Sequence, residues 1–126
     1  MPFSIIWSDF AVSQLDSILE YHEKNSGPEV ARNLVKDIIE APNILVRYPE
    51  IGPKEEMLKD RKIEYRYLVH DSFKMIYSID IKNQYIKIAD VFDTRQARIK
   101  YLGEYKIEPV YTTFEFHSPN PFTSSS

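Results

Sequence analysis

IEYRYLVHDSFKMIYSIDIKNQYIKIADVFD, residues 63–93, carries the clearest pattern in the chain. Apolar and polar residues alternate through three runs, the two-residue period of half-buried strands. In 63–70, Ile63, Tyr65, Tyr67 and Val69 share one face, and Glu64, Arg66, Leu68 and His70 the other. In 73–81, Phe73, Met75, Tyr77 and Ile79 oppose Lys74, Ile76, Ser78 and Asp80. In 85–93, Ile86, Ile88 and Phe92 fall on one side. Asp71-Ser72 and Lys82-Asn83 read as tight hairpin links, since Asp and Asn tolerate left-handed turn geometry. Three consecutive strands with such short links form an antiparallel meander with one apolar face to cover.

The upstream residues supply the cover. FSIIW (3–7) is short, apolar and β-branched, and reads as a further strand. Ser8 or Asp9 then caps a helix whose stripe is Ala11, Leu15, Ile18, Leu19 and His22. That helix ends in EKNSGP (23–28). Ser26 with Glu29 three residues on is a capping-box pattern, and Pro28 suits a first helical turn. The second stripe is Val30, Ala31, Leu34, Val35, Ile38 and Ile39, until Pro42 kinks or ends the helix near Glu40. YPEIGP (48–53) reads as a turn and loop, and KEEMLKDRK (54–62) as a polar, mobile segment. The expected fold is α+β in the order β-α-α-β-β-β, with a helical hairpin packed on one face of a small, mainly antiparallel sheet.

Composition narrows the function classes. The chain has 126 residues and no cysteine, which rules out disulfides and thiolate metal sites and fits a reducing cytoplasm. Its longest apolar runs fall short of a membrane span, and its first residues lack the pattern of a secretory signal. The net charge of −3 is unevenly spread: residues 1–58 hold five Lys/Arg against ten Asp/Glu, whereas residues 59–100 hold ten against six. The basic stretch matters most for a phosphate-rich partner. Glycine-rich phosphate loops, nucleophile elbows and histidine constellations are missing, so a small-molecule enzyme, a His-based triad or a zinc site has no support. His22 reads as a packed or rim histidine. Past Tyr101 the pattern weakens. EPVYTTFEF (108–116) reads as an added strand or docked arm, and HSPNPFTSSS (117–126) has the composition of a disordered tail. The expected boundaries are a domain over 1–104 and a C-terminal extension over 105–126.

YPEIGP (48–53), YRYLV (65–69), FKMIYSI (73–79) and VFDTRQ (91–96), in this order on these elements, resemble the RelE/ParE superfamily, toxins of type II toxin–antitoxin modules often described as plasmid stabilisation proteins. The resemblance spans about residues 3–101. It implies a cytoplasmic growth-arresting toxin bound by a cognate antitoxin, as a homodimer or a toxin–antitoxin hetero-oligomer, with no membrane and no cofactor. Two activities divide the superfamily. RelE-like members are metal-independent endoribonucleases that cleave ribosome-bound mRNA. ParE-like members poison DNA gyrase without nuclease chemistry. A third outcome is a degenerate member that only binds its antitoxin.

The preferred expectation is the mRNA interferase. RNA cleavage needs cations on the phosphorane and a group to move protons. Arg66, Lys74, Arg95 and Tyr101 are the catalytic candidates, and Asp93, Gln96, Arg98 and Lys100 the substrate-binding ones. Arg66 and Lys74 are expected to project from the uncovered face of the sheet and to meet Arg95 there. Leu68 stands where the ribonuclease pattern carries a second basic residue, and YPEIGP is closer to the ParE-like branch. The plainer readings are a cross-strand pairing of Arg66 with Glu64 or Asp80, a solvated Lys74, and an Asp93–Arg95 ion pair that ends the strand.

Overall fold

A computed structural model describes residues 2–95 of the chain. β1 (Ser4–Trp7) leads into α1 (Asp9–Ser26) and α2 (Pro28–Glu40), followed by the short α3 (Ile44–Arg47) and then β2 (Arg66–His70), β3 (Phe73–Asp80) and β4 (Tyr85–Asp93). The sheet order is β1-β4-β3-β2, with β1 parallel to β4 and the other pairs antiparallel. This is the α+β arrangement expected: a helical hairpin on one face of a mainly antiparallel sheet.

The first helix starts where its cap dictates. Ser8 Oγ accepts the Ala11 N–H at 2.9 Å and donates to the Ala89 carbonyl at 2.9 Å. One buried hydroxyl therefore caps α1 and stitches it to β4. Ala11 and Leu15 are fully buried against the sheet, and Val12, Ile18 and Leu19 pack partly against the same core. Gly27, at φ +95°, makes the turn between the helices: its N–H bonds Glu23 O and its carbonyl accepts from Ala31. The expected capping box does not form. Ser26 still belongs to the last turn of α1, and Gly27 is the N-cap of α2 with no side-chain cap bond. α2 then buries Ala31, Val35, Ile38 and Ile39, each large side chain contributing about 1.5–3 kcal/mol of transfer free energy. It stops at Glu40, and Pro42 sits in the tight Ala41–Asn43 turn that follows.

The faces of the sheet differ from the expectation in three ways. First, the hairpin register pairs His70 with Phe73, Leu68 with Met75 and Arg66 with Tyr77. Paired residues share a face. Leu68 and Arg66 therefore lie on the helix side with Met75 and Tyr77, while Tyr67, Val69, Ile76 and Lys74 lie on the other. A two-residue link always pairs even positions of β2 with odd positions of β3 here. Second, a bulge between Ile76 and Tyr77 leaves Ala89 without an opposite residue and reverses the alternation of β4. Ile86, Ile88 and Val91 join the helix-side core, whereas Phe92 joins Ala89 on the far side. Third, the segment 54–62 is anchored to the sheet by Glu55 and Leu58, its two buried residues. Glu55 caps the tight Glu56–Leu58 turn by accepting the Met57 N–H at 3.0 Å. That turn lays Leu58 over Ile76, Ala89 and Phe92 with Tyr65. The face expected to be open thus carries a second, smaller core.

Candidate functional site

Arg66 faces the helix side and holds the loop of residues 49–53. Its Nη1 donates to Gly52 O at 2.7 Å and to Glu50 O at 3.2 Å. Nη2 lies 3.9 Å from Glu64, at the outer limit of an ion pair. Nε is buried without a hydrogen-bond partner among the described residues. Tyr77, its cross-strand neighbour, completes the clamp: its hydroxyl accepts the Gly52 N–H at 3.1 Å and donates to Pro49 O at 2.6 Å. Burial pushes the Tyr77 phenol above its ordinary pKa, only partly opposed by the Gly52 N–H and the Arg66 charge. The phenol therefore stays neutral and keeps the proton that bonds Pro49. Only glycine fits at position 52, because a Cβ there would lie 2.3 Å from Tyr67 O.

Lys74 lies on the opposite face. Its ammonium pairs with Glu55, whose side chain is 4% exposed, and stands 4.2 Å from the centre of the Tyr67 ring. The ion pair and the cation–π contact tie residues 55–58 to the sheet much as Arg66 ties residues 49–53. The two strand cations expected side by side are therefore separated by the sheet itself, and each anchors a different loop.

Arg95 follows the end of β4. Asp93 binds it in a fork, with Nε to Oδ1 at 3.1 Å and Nη2 to Oδ2 at 2.8 Å, and also accepts its backbone N–H at 2.9 Å. The Arg95 hydrogen bond holds the Asp93 carboxyl below its ordinary pKa, against the opposing effect of burial. This is the local ion pair that the sequence allowed. Asp93 pairs with Phe73 and Arg66 with Tyr77, four residues along β3 and two strands across, a backbone separation of roughly 16 Å. Side-chain exposure separates the three cations further, at 15% for Arg66, 19% for Lys74 and 69% for Arg95. Gln96, Arg98, Lys100 and Tyr101 lie outside the described residues, as does the 105–126 extension.

The sequence reading passed over the groove that the Arg66–Tyr77 clamp helps to shape. Phe3, Tyr48, Pro49, Ile51, Ile79 and Ile81 line an apolar hollow of about 560 Å³ at the end of the sheet where β3 finishes, with Arg47 and Glu50 at its rim. Tyr48, Ile51 and Ile81 are more than half exposed. YPEIGP carried the signal: two prolines and a glycine hold Tyr48 and Ile51 outward from a loop rather than in a strand. Among the described residues no helix is long and apolar enough to cross a membrane.

A helical hairpin on a four-stranded sheet, with two loops clamped to its faces by strand cations, defines a small α+β domain. Residues 5–98 match the family described as ParE toxin of type II toxin–antitoxin system, parDE, and the chain belongs to that family. The fold is similar to a chain of the chromosomal ParDE toxin–antitoxin system from P. aeruginosa, at 22% identity and a TM-score of 0.60, over 72% of this chain and 95% of that one. It is also similar to a chain of the RelBE2 toxin–antitoxin complex from Mycobacterium tuberculosis, at 17% identity and a TM-score of 0.50, over 74% and 99%. No curated protein sequence matches the chain.

Proposed function

We propose that this toxin acts on DNA gyrase, without nuclease chemistry of its own, and is neutralised by a cognate antitoxin. The observation that carries this reading is the placement of Arg66 and Lys74 on opposite faces, each bound to a loop. Cleavage of RNA requires its cations around a single phosphorane, and these two cannot share one without breaking the clamps that hold residues 49–58. The family match adds weight, since ParE-like members of the superfamily are the gyrase poisons. An antitoxin partner accords with the similar structures, both of them toxin–antitoxin assemblies.

On this reading the stretch from Asp93 onward is a contact edge. Asp93 orients Arg95, which is the most exposed of the three described candidate cations. Gln96, Arg98, Lys100 and Tyr101 continue the same basic run. The mRNA cleavage expected from the sequence assigns these residues to catalysis; the gyrase reading assigns them to binding.

The test uses the purified full-length chain in two assays. In a supercoiling reaction with gyrase and relaxed plasmid, the chain is expected to inhibit the enzyme or trap cleaved DNA, and Arg95→Ala to weaken this at least about five-fold. In a translating ribosome extract, the message is expected to stay intact. Ribosome-dependent cutting of the message, with gyrase unaffected, would overturn the proposal.

A further inference from the structure

The groove lined by Tyr48, Ile51 and Ile81 gathers more exposed apolar surface than a solvated loop requires. We infer that it docks a second copy of this chain, two copies closing on each other across a two-fold axis at the groove. Charge, shape and rigidity support this occupant.

Charge comes first. Arg47 and Glu50 stand at the rim, three residues apart and both exposed. Neither takes part in an ion pair among the described residues. A partner of one sign would leave one of them facing a like charge. A rim of both signs is instead complementary to itself. Across a two-fold axis, Arg47 of one copy meets Glu50 of the other, and the same contact is made a second time.

Shape makes the same demand. A two-fold contact sets one patch against itself, so the patch needs both projections and a recess. Ile81 is 68% exposed just beyond the end of β3, and Tyr48 and Ile51 are more than half exposed on the loop that forms another wall. The hollow they line, about 560 Å³, has room for the same side chains from a facing copy. Ile44, one helical turn before Tyr48 and itself exposed, widens the apolar surface.

Rigidity lowers the cost of docking. The Tyr77 hydroxyl bonds Pro49 O and the Gly52 N–H, and Arg66 bonds Glu50 O and Gly52 O. The backbone on both sides of Ile51 is thereby fixed, and Tyr48 adjoins it. Little loop entropy remains to be lost when a second copy arrives. One hollow and its rim make a small interface, so the dimer is expected to be reversible, with a dissociation constant on the order of 10 µM.

Sedimentation velocity of the purified full-length chain, from about 2 to about 200 µM, tests this. The parent is expected to pass from monomer to dimer across that range. Ile81→Glu alters a side chain that is 68% exposed, so its urea midpoint at about 2 µM is expected to match the parent, while dimerisation weakens at least about ten-fold. Arg47→Glu and Glu50→Arg each bring like charges together twice. Each is expected to weaken the dimer at least about five-fold, and the combined swap to return within about two-fold of the parent. A monomer throughout would overturn the inference and leave the groove to another protein. A dimer unaffected by Ile81→Glu would overturn it by placing the contact elsewhere. A swap that recovers nothing would overturn the two-fold pairing. Neither gyrase nor antitoxin is in the sample, so the outcome does not depend on the cellular target.

Discussion

Replacing Gly52 by alanine tests the clamp that shapes the groove. The added methyl would stand 2.3 Å from Tyr67 O, 2.7 Å from the Tyr77 hydroxyl and 2.9 Å from Tyr77 Cε1. Tyr67 O belongs to the β2 backbone, and Tyr77 is fully buried, so neither yields. The loop must instead lift by about 1 Å, the shortfall from ordinary contact. That movement stretches the Gly52 N–H bond to Tyr77 and the Arg66 bond to Gly52 O, now 3.1 and 2.7 Å. A neutral bond contributes about 0.5–1.5 kcal/mol and a bond to a charged group about 1.5–3 kcal/mol, so the expected loss is about 2–4 kcal/mol. Tyr77→Phe removes the same N–H acceptor and the donor to Pro49, at an expected cost of about 1–3 kcal/mol. Both substitutions break one unit, so the double variant is expected to lose at least about 1 kcal/mol less than the sum of the singles. Urea denaturation of the four proteins at 25 °C measures this. A Gly52→Ala protein within about 0.5 kcal/mol of the parent, or strict additivity, would refute the account of the loop.

Three further outcomes follow from other contacts. Lys74→Ala leaves the nearly buried Glu55 carboxylate without its ammonium and is expected to cost about 2–4 kcal/mol, read by urea denaturation, with amide exchange rising first in residues 55–58. Because the folded Asp93 pKa is depressed, its stabilisation is complete above the unfolded pKa of about 3.9 and fades as pH falls through the lower folded value. Asp93→Asn is therefore expected to flatten the acid limb of a stability–pH profile below about pH 4, and an unchanged limb would count against the Asp93–Arg95 fork. Gln84 sits at φ +61°, so Gln84→Gly is expected to raise stability by about 0.5–1 kcal/mol, provided the Ser4 bond to the Gln84 carbonyl survives; a lower melting temperature would show that the Gln84 side-chain bond to Ile81 O outweighs the strain.

Much of the layer architecture was legible along the chain because it rests on local periodicity. The stripes of α1 and α2 predicted the residues that join the core except Val30, which is exposed, the Ser8 cap and the stop before Pro42 fell where backbone chemistry puts them, and Asp71-Ser72 closed its hairpin as read. The register of that hairpin was also implicit, since a two-residue link leaves no choice of parity, yet the apolar look of Tyr65, Tyr67 and Val69 argued for the wrong face. Tyrosines on both faces hide the inversion, because each face has a core to receive them.

The element order, the paired helices and the antiparallel meander are matters of neighbours in the chain and were legible there, and the same neighbours allowed the ion pair between Asp93 and Arg95. Long-range pairing was needed to show that Arg66 and Lys74 lie back to back, that the bulge at Ala89 sends Phe92 away from Ile88, and that Glu55 and Leu58 close the second face. Those outcomes depend on which strand lies opposite which, and on one extra residue in a ladder. A side chain's direction is a property of its own strand, but the company it keeps there is set by residues far away in sequence.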